Sequence, residues 1–195
     1  LEQLWRVYRL AQQELTRELE TDRILNVPAD LPGHSEFIKG FPVRYLRTHT
    51  AGQIESHIRL YDLSRPTGVA ARLERADGAY QLTVVARDMP FLFSSFAGAL
   101  SSFGMDILKA EAFSNSKGLI LDTFVFADPR RTLELNPSEG DRLQELIRKV
   151  AAGKADVPRL LKNRPHPDHK RPSEPPSVVF DAEACEAATL VEIST

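Results

Sequence analysis

Residues Tyr80–Asp128 decide the fold, and they read YQLTVVARDMPFLFSSFAGALSSFGMDILKAEAFSNSKGLILDTFVFAD. Tyr80–Arg87 is a short β-branched run that predicts a strand. Asp106–Ser114 and Leu119–Ala127 predict two more strands, joined by a tight turn. Between the first and second strands, apolar residues recur at helical spacing up to Gly104: Leu92, Phe93, Phe96, Ala97, Leu100 and Phe103. The stretch therefore predicts strand, helix, strand, strand.

The turn into this helix is Asp88-Met-Pro90. Asp is a good N-cap and Pro is tolerated in the first helical turn, so we expect Asp88 to cap the helix. A helix N-terminus also offers unpaired N–H groups and a positive dipole end, which suit a carboxylate such as that of a free amino acid. The residues alone leave both interpretations open, a simple cap or a small-molecule site.

The flanking residues extend the pattern. Gly68–Ala76 predicts a strand, and Asp77-Gly78 predicts a hairpin to the strand that follows. A helix after Asn136 ends at Gly153, and Ser177–Asp181 then supplies a last strand. We therefore predict an α+β fold, a ferredoxin-like βαββαβ domain with an extra N-terminal hairpin strand, preceded by helices.

Thr50 and Gln53 form a capping-box pair that predicts one of the preceding helices, through about Leu63. Leu1–Ile24 has the apolar spacing of another. That helix is interpreted either as a linker packed on a neighbouring domain or as a cover for this domain's own sheet.

The predicted domain boundaries are residues 1–66 for a helical linker segment, 67–182 for the domain, and 183–195 for the truncated start of a second copy. The second copy is suggested by Ala188–Thr195, which can be laid over Leu82–Asp88. The chain begins at Leu1 and stops within a strand-like run, so we expect a fragment of a longer protein.

Composition narrows the class of protein. The 195 residues carry a net charge of −2, which argues against nucleic acid or an anionic membrane as a partner. The single cysteine, Cys185, fits a reducing compartment, and no apolar run is long enough to span a bilayer. We expect a cytoplasmic protein.

The sequence lacks the residue patterns of an active site. It has no Gly-rich phosphate loop, no Ser-centred elbow and no zinc-spaced Cys/His set. His49 and His57 lie eight residues apart, with no further ligand pattern, so we expect ordinary polar contacts there. Asp106 and Asp122 are the carboxylates on predicted strands near a helix end, and they are isolated in sequence. We predict no catalytic residue and no metal site in this chain.

The central stretch resembles an ACT domain. The resemblance rests on Val84–Phe93, Ala97–Leu100, Gly104–Ala110 and Gly118–Asp128. More narrowly, the chain resembles the C-terminal region of the bacterial [protein-PII] uridylyltransferase/uridylyl-removing enzyme family. Further stretches carry this narrower resemblance: Phe41–Leu46, Ile54–His57, Leu119–Phe124 and Pro176–Cys185.

This resemblance implies a longer enzyme with a nucleotidyltransferase domain, an HD hydrolase domain and two ACT domains. Such an enzyme adds UMP to a PII signal protein when nitrogen is scarce and removes it when glutamine is plentiful, and its catalytic domains imply Mg²⁺. The resemblance gives this fragment no cofactor and no catalysis, but a role in sensing glutamine or another amino acid, with homodimer or ACT–ACT pairing. The implied ligand-binding residues are Asp88, Met89, Pro90, Phe91, Leu92 and Asp106.

Two positions depart from the family pattern. Phe91 stands where the family usually has Gly, whose missing side chain lets a ligand approach the backbone. Asp106 stands where Asn is usual, and its carboxylate would repel a ligand's carboxylate but pair with its ammonium. The alternative to a sensor is therefore a structural or dimerisation ACT module that binds no small molecule.

Overall fold

A computed structural model describes residues 34–76, 78–162, 177–181 and 190–194. The predicted helix at Leu1–Ile24 and Cys185 lie outside these ranges. The chain divides into two units, Leu1–Lys162 and Asn163–Thr195, and each is described by itself. The helices are α1 His34–Ile38, α2 Val43–Thr48, α3 Ala51–Ser64, α4 Leu92–Ser102, α5 Thr132–Leu135, α6 Ser138–Ala151 and α7 Val157–Lys162. The strands are β1 Val69–Ala76, β2 Ala79–Arg87, β3 Asp106–Ser114, β4 Leu119–Ala127, β5 Ser177–Asp181 and β6 Leu190–Ser194.

The first unit contains a four-stranded antiparallel sheet in the order β1-β2-β4-β3. The predicted hairpin between β1 and β2 is confirmed, because Ala76 pairs with Ala79 and Gly78 has φ +80°. The turn between β3 and β4 is also confirmed, with Gly118 at φ +70°. Together with the helices, this sheet gives the predicted α+β, ferredoxin-like architecture.

The edge of the sheet beside β2 is occupied by β1. In a βαββαβ unit that edge belongs to the last strand, which we predicted at Ser177–Asp181. The prediction is wrong for this segment, because β5 pairs with β6 in a separate two-stranded sheet of the second unit. A tight hairpin brings β1 to the edge at little cost in loop entropy, whereas Ser177 would have to return over a long connection.

One face of the sheet is covered by α4 and α6. The helix α4 buries Leu92, Phe96 and Leu100 as its spacing predicts. Alternate residues of β2 and β4 meet them: Leu82, Val84, Ala86, Ile120, Phe124 and Phe126. The segment after α6 contains α7, whose Val157 is buried in this same core.

The opposite face is covered by α1, α2 and α3. The predicted capping box opens α3: the Gln53 amide donates to Thr50 Oγ1 at 3.3 Å, and the Thr50 amide donates to Gln53 Oε1 at 2.8 Å. An aromatic cluster packs under the sheet, formed by Phe37, Phe41, Tyr45 and Phe113. Phe113 is therefore a core residue on this face, whereas Phe124 and Phe126 belong to the core on the other face. No helix within the described ranges combines the length and apolar character needed to cross a bilayer.

The contact between α4 and α7 depends on Gly98. A Cβ at Gly98 would lie 2.6 Å from Val157 Cγ1. We expect Gly98→Ala to lower the free energy of unfolding by about 1 kcal/mol or more, because overpacking outweighs the helix propensity of Ala. Urea unfolding followed by circular dichroism measures this.

The matched control is Gly52→Ala in α3, where an added Cβ meets nothing within 4 Å. That variant should be more stable by up to about 1 kcal/mol. In a Val157→Ala background, Gly98→Ala should lower the free energy of unfolding by less, because the clashing methyl group is gone. A stabilising Gly98→Ala would contradict the α4–α7 packing.

Candidate functional site

The candidate site is the loop Asp88–Phe91, which joins the end of β2 to the start of α4. Its first residue is tied to the β3–β4 turn, because the Asp88 amide donates to the Gly118 carbonyl at 2.8 Å. The loop then turns back on itself, and the Leu92 amide donates to the Met89 carbonyl at 3.2 Å. The local turn therefore fixes where α4 begins.

The prediction that Asp88 caps this helix is wrong. The residue before α4 is Phe91, and no side chain caps the helix. Asp88 lies four residues ahead of Leu92, with a turn between them, and Pro90 lies in that turn rather than in the helix. Phe91 has φ +63° and ψ 14°, a left-handed conformation that costs a residue with a Cβ about 1–2 kcal/mol.

The first turn of α4 keeps two unpaired N–H groups. The Ser95 amide donates to the Phe91 carbonyl at 2.9 Å, as a regular helix requires. The amides of Phe93 and Ser94 have no acceptor among the described residues. These groups carry the positive end of the helix dipole, so this end of α4 can accept an anion.

Asp122 lies beneath this helix end, and sequence reasoning set it aside as isolated. It is 3% exposed and pairs across the sheet with Val84 and Ala112. Its side chain makes no hydrogen bond or ion pair with any described residue. Burial raises the pKa of Asp122 to about 7, and the nearby Asp88 carboxylate adds to the rise. Its position between Ile120 and Phe124 on one face of an apolar strand was the signal that could have predicted its burial.

A hollow of about 190 Å³ joins these groups. Asp88, Phe93, Ser114 and Asp122 are among the residues that line it. The ring of Phe93 stacks on Phe124 at a centroid distance of 4.9 Å and forms an apolar wall. The hollow is thus lined by two carboxyl groups, which suit a cation, and by Phe93, one of the two residues with a free helix amide.

Five of the six predicted site residues line an adjoining hollow of about 430 Å³: Asp88, Met89, Pro90, Phe91 and Leu92. The sixth, Asp106, lies elsewhere. It pairs with Ala127 at one end of β4, whereas Ser114 pairs with Ile120 near the other end. The two pairs lie seven residue steps apart along β4, roughly 23 Å. Within one chain, Asp106 is therefore not brought to the loop.

The apolar side chains of the loop lie largely in solvent. Phe91 is 83% exposed, so it neither fills the space under the loop nor packs into the core. Met89 and Phe93 are also partly exposed, at 37% and 39%. The loop therefore combines a strained backbone with an exposed apolar rim.

His49 and His57 lie in the aromatic cluster on the other face of the sheet and make ordinary polar contacts, as expected. His57 Nδ1 lies 3.0 Å from the Tyr45 hydroxyl, and His49 Nδ1 lies 2.9 Å from the Tyr45 carbonyl. Burial, then the neighbouring His49 and Arg72, lowers the pKa of His57 to about 3, so this ring is neutral. Among the described residues, no three His, Cys, Asp or Glu side chains group as a metal site would require.

The backbone at Phe91 generates a stability prediction. Phe91→Gly should have a free energy of unfolding about 1 kcal/mol higher than Phe91→Ala, because Gly adopts a positive φ without steric cost. At Lys149, an exposed position inside α6, the order should reverse and Ala should be better by about 1 kcal/mol. Urea unfolding of the four variants measures both differences. An Ala that equals or exceeds Gly at position 91 would contradict the left-handed loop.

The burial of Asp122 generates a pH prediction. Its pKa is higher in the folded chain than the ordinary 3.8, so the folded chain holds the proton more tightly than the unfolded chain. The protonated Asp122 side chain therefore contributes to the free energy of unfolding. That contribution is complete below about pH 4 and is lost as the pH rises through about 7. Asp122→Asn should therefore exceed the parent in stability by about 2–4 kcal/mol at pH 8, with a smaller difference at pH 5. Urea unfolding at both pH values tests this, with Glu74→Gln as control; equal differences at the two pH values would contradict it.

The sequence was compared with those of known proteins. No protein-family model matches the chain. Bifunctional uridylyltransferase/uridylyl-removing enzymes match it at 29% identity over 185 residues in Gluconobacter oxydans and 34% over 142 residues in Azospirillum brasilense. These alignments cover 91% and 70% of this chain, but 20% and 15% of the relatives. The chain thus spans about a fifth or less of the length of the curated relatives it matches. By sequence, it is related to one segment of the bifunctional uridylyltransferase/uridylyl-removing enzymes, as its motifs predicted.

Proposed function

We propose that this chain is the amino-acid-sensing ACT region of a uridylyltransferase/uridylyl-removing enzyme, and that glutamine is its ligand. The sequence relationship to one segment of these enzymes supports the proposal that the chain is part of such an enzyme. The observation that carries the proposal is the unpartnered, buried Asp122 carboxyl group beside the free amides of α4.

An α-amino acid matches this arrangement of charges. Its carboxylate is suited to the free Phe93 and Ser94 amides, where the helix dipole favours a negative charge. Its ammonium is suited to the carboxyl groups of Asp88 and Asp122, which line the same hollow. A cation beside Asp122 favours the ionised carboxyl, so binding should lower its pKa and strengthen as the pH rises towards 8.

The proposed role is regulatory rather than catalytic. In the longer enzyme, domains outside this chain would transfer the uridylyl group to the PII signal protein and remove it, in the cytoplasm. The Mg²⁺ that such chemistry implies does not fit the residues described here, because they contain no suitable cluster of ligands.

A second candidate function is a pairing module without a ligand. It is favoured by the exposed apolar side chains of the loop and by β3, an edge strand that exposes Leu108 at 63%. This function predicts a dimer whose stability and size do not respond to glutamine. Light scattering with and without glutamine distinguishes it from the sensor.

Titration calorimetry of the 195-residue chain with L-glutamine tests the proposal. We expect saturable heat, and at least tenfold weaker binding in Asp122→Asn, because the ammonium loses a charged partner. Glu74→Gln, an exposed carboxylate of β1, should bind as the parent does. 2-Oxoglutarate, which lacks the ammonium, should bind far more weakly. No heat together with no change in melting temperature would overturn the proposal.

A further inference from the structure

A third hollow, of about 290 Å³, lies on the face of the sheet opposite Asp122. The end of α3 and the β3–β4 turn contribute to its walls. Its charged and polar lining includes Glu36, Ser64, Arg65, Arg87, Asn115 and Lys117. Arg87 ends β2 and pairs with Leu119, so its position in the hollow is fixed by the sheet register.

The lining has an excess of positive charge. It holds three cations and one carboxylate. Arg65 is held by Glu36 at 2.7 Å and by Asp62 at 3.0 Å, through Nη2 and Nε, which leaves its Nη1 group unused. Arg87 and Lys117 make no ion pair or side-chain hydrogen bond with any described residue. Two cationic charges are therefore uncompensated at one hollow.

Asn115 adds an oriented neutral donor. Asn115 is 8% exposed, and its Oδ1 accepts hydrogen bonds from the Lys117 and Leu119 amides, both at 2.9 Å. Because both partners are N–H donors, the oxygen is fixed on that side and the Nδ2 amino group is directed away from it. Nδ2 has no acceptor among the described residues. A role in the turn alone would use only the oxygen.

We propose that this hollow binds a small phosphate-bearing anion. The Arg fork, the Lys ammonium and the Asn amino group supply several donors, as the oxygens of a phosphate group require. The two uncompensated cations balance the charge of a phosphate dianion. The site lies apart from the proposed amino-acid site, and the two are joined by the hydrogen bond from the Asp88 amide to Gly118.

Calorimetry of the 195-residue chain in a phosphate-free buffer tests this, with orthophosphate and UMP in separate titrations. We expect saturable binding that weakens as salt is raised. Arg87→Gln and Lys117→Gln should each weaken it about tenfold. Asn115→Asp keeps the oxygen that holds the turn but replaces the donor with a negative acceptor, and it should abolish binding. UMP that binds more tightly than orthophosphate identifies a nucleotide site; equal affinities identify a site for the phosphate group alone.

Arg148→Gln is the matched control, since Arg148 is an exposed cation of α6 outside the hollow. It should bind phosphate as the parent does. Melting temperatures within a few degrees of the parent, together with unchanged glutamine titrations, would show that the variants fold. Absence of phosphate binding by the parent overturns the proposal, and so does equal weakening by Arg148→Gln.

Discussion

The burial of β2 and β4 on both faces is the constraint on which the rest of the structure depends. Five successive residues of β2, Leu82–Ala86, are buried, a pattern more typical of a covered central strand than of a half-exposed one. Helices α4 and α6 cover one face, and α1–α3 cover the other. The hollows lined by polar groups beside these strands lie towards the strand ends. Both proposed sites lie at one such end, one on each face.

Two local costs coincide at that end of the sheet. Asp122 is a carboxyl group buried without a partner, and Phe91 is a bulky residue in a left-handed conformation. Each is destabilising, and residues under such strain tend to cluster at functional sites. A second left-handed non-glycine residue, Arg131, and a buried Asp128 Oδ1 that is unpaired among the described residues lie near the start of α5. An ammonium beside Asp122 would offset the cost of its ionisation, which gives the buried carboxyl group a reason to be there.

Local signals in the sequence predicted most of the fold. The hairpin at Gly78, the capping box at Thr50 and the stripe of α4 each depend on neighbours a few residues apart, so periodicity and turn chemistry were sufficient. The start of α4 was mispredicted because Asp is a typical N-cap residue, so Asp88 was taken as the cap. A turn that the sequence did not reveal places the helix start at Leu92, too far along the chain for Asp88 to cap it.

The features that local sequence signals could not predict involve contacts distant in sequence. Nothing local in Ser177–Asp181 shows that the edge of the first sheet is already taken by β1. The proximity of Asp88 to Asp122 depends on the pairing of β2 with β4, and the hollow at Asn115 depends on helices far upstream. The distance of Asp106 from the loop likewise follows only from the register of β3 on β4.

We propose that the buried Asp122 carboxyl group binds the cationic group of a ligand. Carbon-13 NMR of the aspartate carboxyl groups, titrated from pH 4 to pH 9 with and without L-glutamine, tests it most directly. We predict a pKa of about 7 for Asp122 in the free chain, and a lower pKa when glutamine is bound. A pKa near the ordinary 3.8 in the free chain, or one that glutamine leaves unchanged, would contradict the claim.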